Sequence, residues 1–403
     1  MAFSKSANER SRRPGRFKIK HDSIAMQQAD LLRRVRAREG TSRIELARGL
    51  NLAPSTVGIY VDHLVEDGYL FEGKATERES GRPPTILALN PHGGRFIGVD
   101  FEARNIMAVS VDFSQKPIKE FHGTIAKSDS VEEILRKIEC AIQEVALDDS
   151  RPLLAIGVGV PGVIDPATGI AKKYKHIKGW ENVPLVQRLG EKFKVPVFLE
   201  NNIRTMALAE LWFGQARGLS NFICLGIRSG VGAGIIVNGE ILQGANNRAG
   251  EIGEWPCALT KTNGASRNNS FGRLEEIASF AAVVNSRRTE ADQTRTHSDV
   301  PIKELVLAAE AGDREVLAVL DGAAQTFGLA LNQLSCAFNP EIIILAGGLT
   351  AFGNIFLDRL NKQLAAFAPL AGAPVVVNST LGTFNGALGA AALAVHEWKP
   401  LAK

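Results

Sequence analysis

Residues 197 to 214 constrain the fold of this chain more than any other stretch. Val197, Phe198 and Leu199 form a short apolar run of the kind that makes a buried strand, and Thr205 to Gly214 reads as the helix that follows. Between them stand Glu200, Asn201 and Asn202. Polar residues at the carboxyl end of a buried strand sit where open α/β sheets bind ligands. The stretch therefore predicts an α/β fold and a ligand site together.

At 403 residues the chain is long for one domain, and 45% hydrophobic residues supply a large core. No run of 18 apolar residues exists, so no membrane span is expected. The basic N-terminus has no apolar segment behind it and does not read as a secretory signal. Cys140, Cys224, Cys257 and Cys336 lie far apart and give neither a disulfide framework nor a zinc knuckle. A cytoplasmic location is expected. Charge is uneven: residues 1–95 hold 17 Lys/Arg and 11 Asp/Glu (+6), and the remainder holds 30 and 32 (−2). A basic head on a mildly acidic body suits a head that meets a polyanion.

Within the head, residues 1–20 carry seven basic side chains and almost no apolar periodicity, and read as a disordered arm. Residues 21–92 read as one domain. Asp22 or Ser23 can cap a first helix with Ile24, Leu31, Leu32 and Val35 inward, ending near Gly40. Thr41 or Ser42 can cap a second through Ile44, Leu46 and Ala47. A third starts at Pro54, with Val57, Val61, Leu64 and Val65 on one face and Ser55, Thr56, Gly58, Ile59, Asp62 and His63 elsewhere. Two short strands follow, near Gly68–Phe71 and at Thr85–Leu89. Helix, helix, turn, helix and β-wing is the plan of a winged helix-turn-helix, whose third helix enters the major groove. The candidate DNA-contacting residues are Ser42, Arg43, Pro54, Ser55, Thr56, Gly58, Ile59, His63, Arg78 and Arg82. Exposed Ile59 suits thymine methyls, and Arg82 a narrow A·T minor groove.

Residues 93–403 read as a second domain. Phe96–Phe101 and Ile106–Asp112 form a hairpin, a third strand follows near Ile118–Ile125, then a helix from Val131 to about Leu147 and a buried strand at Leu153–Val160. Further strands are expected at Phe222–Ile227, Glu341–Leu345 and Val375–Val377, with a small-residue helix closing the chain.

These motifs resemble the ROK family, which contains repressors and sugar kinases on a two-lobed actin-like ATPase fold. The resemblance runs from about residue 24 to residue 397, with the head similar to that of the ROK repressors, through the wing end Gly81-Arg82-Pro83-Pro84. It implies a first lobe of about residues 93–200 plus the closing helix at about 385–397, and a second lobe of about 201–384. The family's kinases carry Glu-Asn-Asp where this chain has Glu200-Asn201-Asn202, the Asp being the base. A carboxamide cannot take up a hydroxyl proton at neutral pH. Their phosphate turn reads Asp-x-Gly, whereas this chain reads Asp100-Phe101-Glu102, an acidic side chain where phosphate would approach. Arg228-Ser229-Gly230-Val231-Gly232 corresponds to a second phosphate loop, and Gly347-Gly348 resembles the nucleotide-base loop. Gly250-Glu251-Ile252-Gly253-Glu254 matches a Gly-Glu-Ile-Gly-His segment whose His contacts sugar and binds structural zinc with three Cys. Here the His is Glu254, and Ser266–Arg273 holds no Cys, so no metal is expected.

What the resemblance implies is a transcription regulator of carbohydrate-metabolism genes, most often a repressor. A sugar or sugar derivative would bind at Gly162, Val163, Asn201, Asn202, Glu251, Glu254 and Glu275, without catalysis and without a cofactor. The expected partners are a double-stranded DNA operator and a second or further copy of the chain, as homodimer or homotetramer. Two alternatives remain open from sequence. One is an active ROK sugar kinase with an accessory DNA-binding head. The other is a regulator controlled by a partner protein.

Overall fold

Local signals set the first three helices, and a short antiparallel pair follows them. The computed structural model describes residues 24–38, 40–74, 85–258, 271–285, 302–366 and 372–400. The described residues fall into two compact units, one reaching Leu89 with the chain's last residues from Lys399, the other running from Asn90 to Trp398. In the first, helices span Ile24–Ala37, Arg43–Leu50 and Pro54–Glu66, and strands Leu70–Lys74 and Thr85–Leu89 pair antiparallel. Ser42 caps the second helix by a reciprocal capping box with Glu45, and Asn51 ends it in the left-handed conformation. Pro54 opens the third helix behind Ala53, whose methyl offers no capping bond.

One expectation fails here. Spacing places Ile24 inward, yet it is 43% exposed; in the second helix Ile44 is 61% exposed. Ile24 is the first residue of its helix, whose buried positions begin at Gln28, and the inward face of the short second helix is set by Leu46 and Ala47. Asp22, Ser23, the basic arm, Arg78 and Arg82 lie outside the described residues.

The second unit is built on two five-stranded sheets. The first runs, in spatial order, Val197–Asn201, Leu153–Val160, Arg95–Phe101, Asn105–Asp112 and Pro117–Thr124. Its first three strands are parallel and the rest antiparallel. The second runs Glu240–Ile241, Val231–Val237, Phe222–Ile227, Ile342–Gly347 and Val376–Asn378, and likewise mixes antiparallel hairpins with parallel neighbours. Strand Arg95–Phe101 is buried at every position, as a strand covered on both faces must be. Separate apolar cores form on the sheets: one around Ile97, Ile138 and Trp180, another around Leu225, Phe327 and Leu345.

Two helices join these halves. The floor helix Asn202–Phe213 packs on strands of both sheets, and the closing helix Asn385–Glu397 lies on the floor helix and the first sheet. Glycine makes the approach possible. A Cβ on Gly157 would stand 1.8 Å from the Ala390 carbonyl oxygen, and one on Gly389 1.6 Å from that of Thr205. The floor helix starts at Asn202, three residues before the expected start, because the Asn201 side chain accepts hydrogen bonds from the Ile203 and Arg204 amides.

Candidate functional site

The floor strand Val197–Asn201 ends between the two sheets, so the residues after it face a cleft. A cavity of about 260 Å³ opens there, and its walls include Gly162, Val163, Asn201, Asn202, Glu251, Glu254 and Glu275. All seven positions singled out in the sequence thus come together on one cavity. Three of them are partly occupied. Asn201 is spent on the floor: its carbonyl caps the helix and its amide donates to the Gly162 carbonyl at 3.3 Å. Glu254 is exposed and pairs with Arg273 at 2.8 Å. Glu275 pairs with Lys175.

Behind the floor lies a buried pair. Glu200 and Arg204 are 2% and 1% exposed and bond to one another, Arg204 Nε to Glu200 Oε1 at 2.7 Å. Arg204 also donates to the Asn247 carbonyl at 3.0 Å, and Glu200 accepts from Gln243 at 3.0 Å. These bonds fasten the loop carrying Arg248 and Glu251 to the turn carrying Asn201 and Asn202. Burial raises the Glu251 carboxyl above its ordinary range; Arg204 and Arg248 oppose that shift, and Glu254 and Glu275 add to it.

The opposite end of the cavity is closed by polar side chains from both sheets. Arg228 Nη1 lies 2.7 Å from Asp100 Oδ2. Ser229 donates to Glu102 at 3.2 Å, and its oxygen stands 2.9 Å from the Tyr174 hydroxyl. Burial pushes Asp100 up to about 6, Arg228 pulling it down and Glu102 up. Burial also works against the charge on Arg228, but the facing carboxylates of Asp100 and Glu102 more than offset it. The Glu102 amide donates to the Asn105 carbonyl at 3.0 Å, and the Arg228 amide to that of Gly230 at 2.9 Å. These two backbone donors are therefore used inside the protein.

Sequence reasoning missed Tyr174, Lys175 and His176, which line the cavity from the segment after strand Ile170–Lys173, and it missed Arg248. No motif marks them. Tyr174 meets Ser229 across 55 residues of chain and Lys175 meets Glu275 across 100. Among the described residues no group of three or more His, Cys, Asp or Glu side chains is placed to hold a metal, and most of the Ser266–Arg273 segment lies outside them. Cys140, Cys224, Cys257 and Cys336 are free thiols. No described helix is long and apolar enough to cross a membrane.

In the first unit, the third helix exposes Ser55, Ile59, Asp62 and His63, with Ile59 55% exposed; Pro54 is exposed at its start, and Thr56 and Gly58 are half-buried. Arg43 reaches across this unit, donating to Asp62 at 2.6 Å, Glu72 at 2.8 Å and the Gly58 carbonyl at 3.3 Å. Its guanidinium is thereby used to hold the third helix against the strand pair, with Ser42 beside it as the cap of the second helix.

Two mixed sheets joined by a shared helix pair around a hydroxyl- and carboxylate-lined cleft define an actin-like, sugar-kinase type of body. The chain belongs to the ROK family, whose profile matches residues 96–397. It is similar to the xylose repressor of Caldicellulosiruptor bescii, 28% identical over 334 residues, covering 80% of this chain and 83% of the relative. The transcriptional dual regulator NagC of Escherichia coli K12 is 30% identical over 327 residues, 80% of each chain. Glucokinases are also among the relatives. In fold the chain is similar to a ROK family transcriptional regulator homologous to the Escherichia coli Mlc protein, with a TM-score of 0.74 at 22% identity, covering 92% of this chain and 97% of that one.

Proposed function

We propose that this chain is a DNA-binding transcription regulator, of the repressor kind, whose ROK body senses a sugar or sugar derivative without phosphorylating it. The observation that carries the reading is Asn202. It is 5% exposed at the cleft floor, and a carboxamide there can bind a hydroxyl but cannot remove its proton. Glu251 and Glu275 supply acceptors for neighbouring hydroxyls. The three helices and the strand pair of the first unit support a winged helix-turn-helix, with the exposed side chains of the third helix aimed at base edges.

In this reading residues 21–92 form the DNA-binding domain and 93–403 the effector domain, acting in the cytoplasm as a homodimer or homotetramer on a paired operator. Sugar changes DNA affinity by binding one arrangement of the lobes better than the other. The relatives named as repressors favour this over the kinase reading.

The test is fluorescence anisotropy on DNA from the region upstream of the protein's own gene, with and without a sugar panel. Salt-sensitive binding that one sugar alters supports the sensor. Binding that no sugar alters hands control to a partner protein. Turnover of ATP with a sugar in a parallel assay would overturn the reading.

A further inference from the structure

We infer that the cleft selects a sugar bearing no anionic substituent, and that Glu102 enforces the choice; the inference rests on the sugar-sensing role proposed above. An anionic group is recognised through cations or amides that are free to turn toward it. Of the four Arg and Lys side chains lining this cavity, three are paired. Arg228 is held by Asp100 at 2.7 Å and also feels Glu102. Lys175 is paired with Glu275, and Lys173 lies 3.3 Å from Glu181. Arg248 is exposed at the rim, where its charge acts on Glu251.

Glu102 has no such neutralising contact of its own. Its side chain accepts from the Ser229 hydroxyl, itself beside the Tyr174 hydroxyl, and hydroxyls stabilise a carboxylate without cancelling its charge. Two carboxylates, Asp100 and Glu102, thus share one guanidinium, and this end of the cavity keeps an excess of negative charge. The amides of residues 102 and 228 are turned to Asn105 and Gly230. A phosphate ester or sugar acid arriving here meets like charge in a partly buried setting, where repulsion is weakly screened. A neutral polyol meets hydrogen-bond acceptors instead. Selectivity of this kind comes from penalising the wrong ligand as much as from binding the right one.

The experiment is isothermal titration of the full-length protein with neutral pentoses and hexoses, their phosphate esters and hexuronic acids, repeated on Glu102→Gln and Glu102→Ser after each variant is shown to melt cooperatively. The expected result is that a neutral sugar binds about tenfold or more tightly than its own ester or acid, and that both substitutions narrow this ratio. An ester that binds as tightly as its parent sugar overturns the inference and leaves sugar sensing standing. A ratio unchanged in both variants removes Glu102 from the role. If no sugar, ester or acid binds, the sensing role itself falls and the inference falls with it.

Discussion

The Asp100 carboxylate and the Arg228 guanidinium meet at 2.7 Å, joining the end of a strand in the first sheet to the glycine turn of a hairpin in the second. Removing one partner leaves the other charge buried alone, which costs about 3–5 kcal/mol in comparable pairs. Arg228→Ala is therefore expected to destabilise the body by that order. Denaturant unfolding followed by tryptophan fluorescence checks it, and a loss under about 1 kcal/mol would show that water reaches Asp100 freely.

Acidity acts on the same pair with a definite sign. Asp100 is pushed up to about 6 from an ordinary value of 3.8, chiefly by burial. Between those values the folded chain holds a proton there that the unfolded chain has released. The contribution of Asp100 to stability is thus fully present below about pH 4 and is lost as pH rises through about 6. Other carboxylates weaken the fold on acidification, so the comparison needs Asp100→Asn, which does not titrate. Relative to that variant, the unsubstituted protein should gain on the order of 2 kcal/mol between about pH 7 and pH 4.5. A constant difference across that range would mean that the carboxyl titrates normally.

Restoring a carboxylate at the floor tests the reading of the cleft. Asn202→Asp supplies a base, but Glu102 and the Asp100–Arg228 pair still fill the end where phosphate would enter. The variant should show no sugar-dependent ADP release above that of the unsubstituted protein in a coupled assay. Turnover by the single variant would show that the cleft admits a nucleotide as it stands.

Ala53 stands at the start of the third helix with extended backbone angles and no side-chain bond to the helix amides. Ser at such a position accepts a bond from the second or third amide of the helix and stabilises by roughly 0.5–1 kcal/mol relative to Ala. Ala53→Ser should slow amide exchange in Pro54–Glu66 of the full chain by a matching factor, while leaving the second unit unchanged. Equal protection in both proteins would mean that the helix end is already satisfied by other groups.

What the sequence disclosed and what it hid follow one physical rule. Runs such as Leu153–Val160 and Phe222–Ile227 are apolar throughout and bounded by turn residues, so their boundaries are set locally and the strands lie where expected. The floor positions were legible because Glu200, Asn201 and Asn202 are consecutive. The start of the floor helix was not: the Asn201 side chain that caps it is also held by the carbonyl of Gly162, a residue 39 positions earlier in another segment. Ile24 and Ile44 share their spacing with core residues, and only the packing of neighbouring helices decides which side is covered. The far wall of the cleft was hidden for the same reason: Tyr174 and Lys175 carry no motif, and their partners are defined only once both sheets are assembled.

Two glycines in the second unit should respond to the same substitution with opposite signs. Gly157 lies on a strand of the first sheet beneath the closing helix, where a Cβ would stand 1.8 Å from the Ala390 carbonyl oxygen. Backbone cannot yield as a flexible side chain does, so Gly157→Ala must push the closing helix off the sheet, at about 3 kcal/mol or more on the scale of overpacked cores. Gly322 sits within helix Arg314–Phe338 with nothing inside 4 Å of the same atom and no left-handed φ. There Ala removes a helix-interior glycine and restricts the unfolded chain, stabilising by roughly 0.4–1 kcal/mol. Thermal melts of the two variants beside the parent decide the matter. If Gly157→Ala melts with the parent, the closing helix is not seated on the first sheet through its glycines.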